Sequence, residues 1–353
     1  MTIFVYAGIF LGSLVAAYAV FLLVMALWPG VSAPAQPLGG AGRQGDGAED
    51  GGSRKDVSFE VDGSTVRGWL YLPERGSHPP PAPCVVMAHG LGGTKATGLD
   101  GYARRFRGAG FAVLAFDYRH LGESDGEPRQ LVWIPSQLAD YAAAIAFVRG
   151  LEEVDPSRIA LWGTSLSGGH VVVTAARDHD IACISAQVPL LAGDAGGWEL
   201  VRKMGFGYLL RLAFGHGIRD MVRSLLGLSP HKIPLVGEPG TIAVMADREA
   251  WDFFEAAAPE GFVNEACARI LIRMDKYHPI HHAKKVRCPV LIQACEKDIA
   301  LPSRLVDEAE STLGDLAEVI RYPLGHFDIY QGEAFEEAVS DQVAFFRKHL
   351  RKD

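Results

Sequence analysis

The chain has few cysteines, no basic stretch interleaved with aromatic residues and no internal repeat. Its five cysteines are odd in number and widely spaced, and four of them lie in apolar runs, so they predict core thiols rather than a disulfide framework. The net charge of −8 argues against a nucleic-acid partner. Because 48% of its 353 residues are hydrophobic, the chain can still form a sizeable core, in one large domain or two small ones.

Charged side chains are also missing between Ile3 and Trp28. As a helix, this run is about long enough to cross a hydrocarbon core of roughly 30 Å. No positive residue precedes it, and it exceeds the roughly 7–15 apolar residues of a signal-peptide core. These features favour a retained transmembrane anchor at 1–28 over a secretory signal cleaved at Ala33–Ala35, and predict a single-pass membrane protein. The first Lys or Arg, Arg43, follows the run, which favours a cytoplasmic location for the rest of the chain.

A linker and a globular domain are predicted to follow the anchor. Residues 29–55 are rich in glycine, proline and alanine, a composition typical of a flexible linker. The globular domain is predicted over 56–353. It opens with two alternating segments, Val57–Val61 and Thr65–Leu72, separated by an Asp-Gly turn, which is the pattern of a β-hairpin.

Short strands that are apolar throughout then alternate with helices. Because such strands are buried on both faces, the alternation predicts the α/β class, with a mostly parallel sheet covered by helices on both sides. The predicted strands are Cys84–Ala88, Phe111–Phe116, Ile159–Trp162, Ala182–Val188, Val290–Cys295 and Glu318–Tyr322, and the predicted helices are Tyr102–Gly110, Ser136–Arg149 (with Ser136 as its N-cap) and Glu333–Leu350.

The alternation stops between Val188 and Val290, over a stretch much longer than an ordinary connection. Residues Glu199–Leu228 are helical in character and, with a later Trp-Phe-Phe cluster, supply many large apolar side chains. We predict an inserted helical cap over 190–282. The alternative is that these side chains only add to the packed core.

The segment Arg158–Val173, RIALWGTSLSGGHVVV, predicts a strand, a sharp turn and a helix, with Ser165 at the turn. A nucleophile in such a turn has a strained backbone, so the residues two before and two after it must be small, as Gly163 and Ser167 are. Taken alone, the segment could also be a Gly/Ser loop without chemistry. The other serine, Ser167, falls in the first turn of the helix, where we expect its hydroxyl to point away from a base.

Two further residues complete a predicted triad. Functional groups gather at the carboxyl ends of parallel strands. Asp298 follows the next-to-last predicted strand and His326 follows the last one, so the chain order is Ser165, Asp298, His326, a known order for a Ser-His-Asp triad. Glu296 and Asp194 are alternative acids.

Each of these residues has a predicted role. A serine hydroxyl is a weak nucleophile, so His326 is predicted to accept its proton, while Asp298 orients the imidazole. The reaction also needs donors for an oxyanion. We predict the backbone N–H of Leu166, directly after Ser165, and that of Leu91, in the HGLGG segment that follows a buried strand.

Two other patterns have simpler explanations. The glycines of Gly90–Lys95 lack the spacing of a P-loop, and no acidic ribose-binding residue accompanies them, which argues against a nucleotide. His278, His281 and His282 have no carboxylate or cysteine at a convincing ligand spacing and predict a solvated loop. We therefore predict no metal and no cofactor.

From about Val57 to the C-terminus, the chain resembles the α/β-hydrolase superfamily. Its segments HGLGGTK, AFDYRHLGESDGEPR, GTSLSGGHV and GHFDIY are similar to the dienelactone-hydrolase-like and X-Pro-peptidase-like branch, including its polyketide-transferase-like members. The resemblance implies the α/β-hydrolase fold and a triad. Two departures argue against carrying over those substrates: dienelactone hydrolases have a cysteine where this chain has Ser165, and X-Pro peptidases have an additional C-terminal β-domain, whereas this chain ends one helix after His326.

The predicted function is that of a membrane-anchored serine hydrolase acting on a small-molecule carboxylic ester or thioester. The apolar cap predicts an apolar acyl group in that substrate. Acyl transfer on the same scaffold and a catalytically silent interaction protein are the alternatives, because neither the natural substrate nor the acceptor can be inferred from these patterns.

Overall fold

The computed structural model describes residues 2–27, 38, 54–74, 81–195, 201–202, 204–298 and 302–350. Most of the predicted linker at 29–55 lies outside these residues. The last two residues of this range, Arg54 and Lys55, belong to a strand and not to a linker, so the predicted boundary at 55 is wrong. Arg54 and Lys55 pair with Tyr71 and Leu70 in the first hairpin, and their exposed charged side chains conceal the strand from a pattern based on hydrophobicity.

An eight-stranded sheet, in the order β1-β2-β4-β3-β5-β6-β9-β10, forms the centre of the globular part. The β1–β2 and β2–β4 pairs are antiparallel and all the others are parallel, as predicted. The strands are β1 (Arg54–Val61), β2 (Ser64–Tyr71), β3 (Ala82–Ala88), β4 (Ala112–Phe116), β5 (Val154–Thr164), β6 (Cys183–Gln187), β9 (Val290–Cys295) and β10 (Ala317–Tyr322).

Helices cover both faces of this sheet, so every residue of β3, β4, β6 and β9 is buried. Helices α3 (Ile134–Arg149), α4 (Leu166–Ala175) and α8 (Ser303–Leu313) pack into the core on one face. Helices α2 (Leu99–Gly108) and α9 (Gly332–Leu350) pack on the other.

The predicted cap of Ser136 on α3 is wrong. The helix begins at Ile134, after Trp133, and a proline occupies its first turn. Proline suits that position because it has no N–H to satisfy. Ser136 lies inside the helix, where its hydroxyl donates to the carbonyl of Trp133.

The stretch between β6 and β9 folds as an insertion that is not purely helical, which corrects the helical cap predicted at 190–282. It also contains a two-stranded antiparallel sheet of β7 (Lys232–Ile233) and β8 (Ala266–Cys267), strands too short to give a periodic signal. Its other elements are α5 (Phe206–Leu212), a π-helical segment (Ala213–Ile218), α6 (Arg219–Leu225), α7 (Arg248–Ala257) and 3₁₀ turns at Ala268–Ile272, Met274–Lys276 and Pro279–Lys285.

The N-terminal helix α1 (Thr2–Leu27) stands apart from the sheet. Its segment Tyr6–Val24 has a mean hydropathy of 2.3 and none of it is buried. By length and composition it is a candidate membrane span, although an N-terminal signal sequence would meet the same test.

Candidate active site

Ser165 lies in the tight turn between β5 and α4. Its backbone has φ 54° and ψ −116°, which L-residues rarely adopt. The turn needs a glycine at 163, because a Cβ there would lie 2.2 Å from the Ser167 carbonyl oxygen. The predicted strand–turn–helix is therefore present, and it places Ser165, which is half-buried, at the carboxyl edge of the sheet.

The structure brings Ser165, Asp298 and His326 together from the loops that follow β5, β9 and β10, which end at the same edge of the sheet. Ser165 Oγ lies 3.2 Å from His326 Nε2, and His326 Nδ1 lies 2.5 Å from Asp298 Oδ2. Both His326 and Asp298 are buried. This is the arrangement in which a carboxylate orients an imidazole and the imidazole accepts a proton from the serine.

The alternative residues lie elsewhere. The Ser167 hydroxyl donates to the carbonyl of His89 and contacts the hydroxyl of Tyr118 at 2.6 Å. Asp194 lies 3.5 Å from His278, and Glu296 is exposed. The described contacts of His326 thus favour Asp298 as its acidic partner.

The charge environment of His326 acts on its pKa in two directions. Burial of the ring lowers the pKa, whereas the charge and hydrogen bond of Asp298, together with the charge of Glu249, raise it. The outcome is a pKa raised above the ordinary value for histidine. The site therefore stabilises the imidazolium that forms when His326 takes a proton.

The predicted oxyanion loop, which follows β3, lies against the nucleophile. A Cβ on Gly90 would lie 3.1 Å from the Cβ of Ser165, so a larger residue there would require Ser165 to shift. Leu91 lies beside Ser165 in the same pocket, and Leu166 is the first residue of α4. Their role as oxyanion donors stays a prediction.

A buried ion pair holds the far end of this loop, and sequence reasoning missed it. Lys95 Nζ lies 2.7 Å from Asp117 Oδ2 and 2.5 Å from Glu123 Oε2, and the Lys95 N–H donates to Asp117. Only 2% of Lys95 is exposed. The lysine that follows the glycine run is thus engaged by carboxylates.

Glu249 is a second residue that sequence reasoning missed. It projects from α7 of the insertion and accepts a hydrogen bond of 2.6 Å from the backbone N–H of Phe327, next to His326. Burial raises the pKa of Glu249 above its ordinary value. No local motif distinguishes this glutamate, because its partner lies 78 residues away in the chain.

A pocket opens at Ser165 between the sheet and the insertion. No Asp, Glu, Lys or Arg occurs among the described residues that line it, and most are apolar or aromatic: Leu91, Leu99, Tyr102, Met245, Phe253, Phe254, Phe327 and Tyr330. A second, more polar cavity beside Asp298 includes neither Ser165 nor His326. Only the first pocket suits a substrate that reacts at Ser165.

The described residues contain no group of three or more His, Cys, Asp or Glu side chains arranged to hold a metal ion. His278 and His281 stack on each other with ring centroids 5.1 Å apart. All five cysteines are buried and unpaired.

Known proteins resemble this chain over most of its length. The Alpha/beta hydrolase family profile matches residues 85–338. Quorum-quenching protein AidA from Acinetobacter baumannii is 37% identical over 296 residues, covering 83% of this chain and 94% of AidA. Polyketide transferase af380 from Aspergillus fumigatus is 29% identical over 317 residues, covering 84% of this chain and 99% of the transferase. The crystal structure of the alpha/beta hydrolase GrgF from Penicillium sp. sh18 matches with a TM-score of 0.70 at 24% identity, covering 84% of this chain and 99% of GrgF.

Proposed function

The chain belongs to the alpha/beta hydrolase family, and on that basis we propose that it is a membrane-anchored serine hydrolase that cleaves a carboxylic ester or thioester. The observation that carries the proposal is the pair of contacts made by His326, 3.2 Å to Ser165 Oγ and 2.5 Å to Asp298 Oδ2. The apolar α1 supports the membrane anchor.

The proposed reaction proceeds through an acyl-enzyme. Ser165 Oγ attacks the carbonyl carbon of the substrate as its proton passes to His326 Nε2, and the carbonyl oxygen becomes an oxyanion. The N–H groups of Leu91 and Leu166 stabilise that oxyanion. The carbon–oxygen or carbon–sulfur bond then breaks, and His326 returns the proton to the departing alcohol or thiol.

Water completes the cycle. It attacks the acyl-enzyme while His326 accepts one of its protons, and the carboxylic acid leaves as Ser165 recovers its proton. Asp298 accepts the hydrogen bond from His326 Nδ1 throughout, which favours the tautomer that has its free lone pair on Nε2.

Acyl transfer is the second candidate, supported by the similarity to a protein named a polyketide transferase. In that reaction an alcohol or another nucleophile replaces water in the second half. The products distinguish the two: with a short p-nitrophenyl ester and an added alcohol, a hydrolase releases mainly free acid and a transferase mainly the new ester.

Labelling with a fluorophosphonate tests the proposal directly, because only an activated serine displaces the fluoride of the probe and becomes phosphonylated. We expect the native protein and Ser167→Ala to be labelled and Ser165→Ala to remain unlabelled. An unlabelled, folded native protein would instead indicate a catalytically silent member of the family, and equal loss in both variants would contradict the assignment of Ser165.

A further inference from the structure

One side of the insertion exposes a group of large apolar side chains. We use the term cap face for Phe206, Leu210, Phe214, Leu225 and Leu226, which lie on or directly after the continuous helical run 206–225. The first three are spaced four residues apart and therefore share one side of the helix. Phe206 is 65% and Leu225 78% exposed. Such a concentration of exposed apolar side chains indicates a surface that contacts another apolar phase.

Most charged residues in the sequence around the cap face are basic, although the whole chain carries a net charge of −8 and one of these residues, Arg219, is buried. Between residues 201 and 228 the sequence contains four arginines and one lysine, and Asp220 is the only acid. Asp220 is fully buried and lies 2.6 Å from Arg269. Arg202 and Arg211 are exposed. An amphipathic helix with a basic fringe is typical of segments that lie in the interface of an anionic bilayer.

The end of the cap face at Leu225 lies on α6, which is next to α1. Several Cα atoms of α1 lie within 8 Å of Cα atoms of α6. Among the α1 side chains that the structure describes, Leu22 is the least exposed, and it lies near the C-terminal end of the helix. If α1 crosses a membrane, this end leaves the bilayer toward the globular part, so α6 is positioned at the level of the lipid headgroups.

We infer that the cap face lies on the surface of an anionic bilayer beside the membrane-spanning α1. This inference rests on the membrane anchor of the proposed function. A second copy of the chain is a poorer occupant, because a symmetric contact would bring the same arginines of two copies together. Anionic headgroups instead complement them.

This position connects the bilayer with the pocket. Tyr208, on the same helix as the cap face, donates a hydrogen bond of 2.6 Å to the carbonyl of Thr241. Four residues later, Met245 lines the pocket at Ser165. The helix that carries the cap face is thus joined to the segment that lines the pocket.

Spin labels on the full-length protein test the inference in nanodiscs of phosphatidylcholine and phosphatidylglycerol. The native cysteines are buried, so a nitroxide reagent modifies a cysteine introduced by Phe214→Cys. Val263→Cys is the matched control, because Val263 is 46% exposed but lies in a loop with acidic neighbours. We expect the ratio of oxygen to nickel-chelate collisions to be several-fold higher at 214 than at 263. Equal ratios would overturn the inference.

Two further labels separate the remaining outcomes. A label introduced by Leu14→Cys reports on the environment of α1. If this label contacts lipid but the label at 214 does not, α1 is a membrane anchor and the inference about the cap face is wrong. If the 14 label is exposed to water, the anchor fails, and the inference fails with it. Dipolar broadening between 214 labels of two copies would show a protein interface in place of the bilayer, which also contradicts the inference.

Discussion

For single residues, the clearest case is the pKa of His326, which several neighbouring groups affect at once. Burial alone would lower its pKa, but the nearby carboxylates outweigh burial and raise it. Asp298 touches the ring, whereas Glu249 bonds to the neighbouring backbone N–H from another element. The two carboxylates should therefore have different effects on catalysis.

Replacement of Asp298 by asparagine should reduce kcat for a p-nitrophenyl ester by on the order of 10⁴-fold, because an amide does not hold the imidazole in the required tautomer. The fold should persist, since the side chains have almost the same shape. Steady-state kinetics and thermal unfolding measure the two effects. Glu296→Gln is the matched control and should retain activity; a comparable loss in that variant would identify Glu296 as the acid.

Replacement of Glu249 by glutamine should change the pH dependence of the reaction. Removal of this negative charge lowers the pKa of His326, so a larger fraction of the base is unprotonated in mildly acidic solution. The acidic limb of the kcat/KM profile should move to lower pH, while the basic limb stays in place. Glu255→Gln, on the same helix, serves as the control. An unchanged acidic limb would limit Glu249 to a structural role.

At the scale of elements, the insertion contributes to the site in two ways. Helix α7 carries Phe253 and Phe254 into the pocket and Glu249 onto the histidine loop. The segment before it places Leu235 against the oxyanion loop, where a Cβ on Gly92 would lie 2.4 Å from it. The insertion is thus packed against the catalytic loops, and a change in its packing should alter both the pocket and the base.

The apolar lining of the pocket predicts a preference for longer acyl chains. Each buried methylene contributes about 0.8 kcal/mol, which is roughly a fourfold gain in kcat/KM. Esters of two to twelve carbons should therefore show a rise toward medium chains. Met245→Phe should shift the optimum to shorter chains, whereas Val263→Phe, outside the pocket, should not. A maximum at acetate would indicate a small-substrate esterase.

For the molecule as a whole, the location of the proposed hydrolase depends on whether α1 is a membrane anchor or a cleaved signal. A membrane anchor would keep an apolar pocket close to lipids, in which apolar esters partition. A cleaved signal would release the domain from the membrane.

Washing of membranes with alkaline carbonate should leave the full-length protein in the pellet, because a spanning helix of this hydropathy resists extraction. Intact mass should include residues 1–28. Release into the supernatant, with a new N-terminus near Gln36, would instead establish a cleaved signal peptide.

The amino-acid sequence was enough to predict the mostly parallel sheet, the turn at Ser165 and the order of the three site residues. These features depend on local patterns: an apolar strand, small residues at a tight turn, and polar residues where a strand ends. Such patterns are short-range, so they can be recognised without knowledge of the tertiary structure.

Only the tertiary structure revealed the groups that surround the site. The contacts between Lys95 and Asp117, Ser167 and Tyr118, and Glu249 and Phe327 join residues 22, 49 and 78 positions apart. The small sheet of the insertion and the cap face were also not predicted from the sequence. Strand pairing and the exposure of side chains depend on which elements pack together. The physical reason is that the partners of a side chain depend on which distant segments pack together in the folded protein. The local periodicity of the sequence does not contain this information.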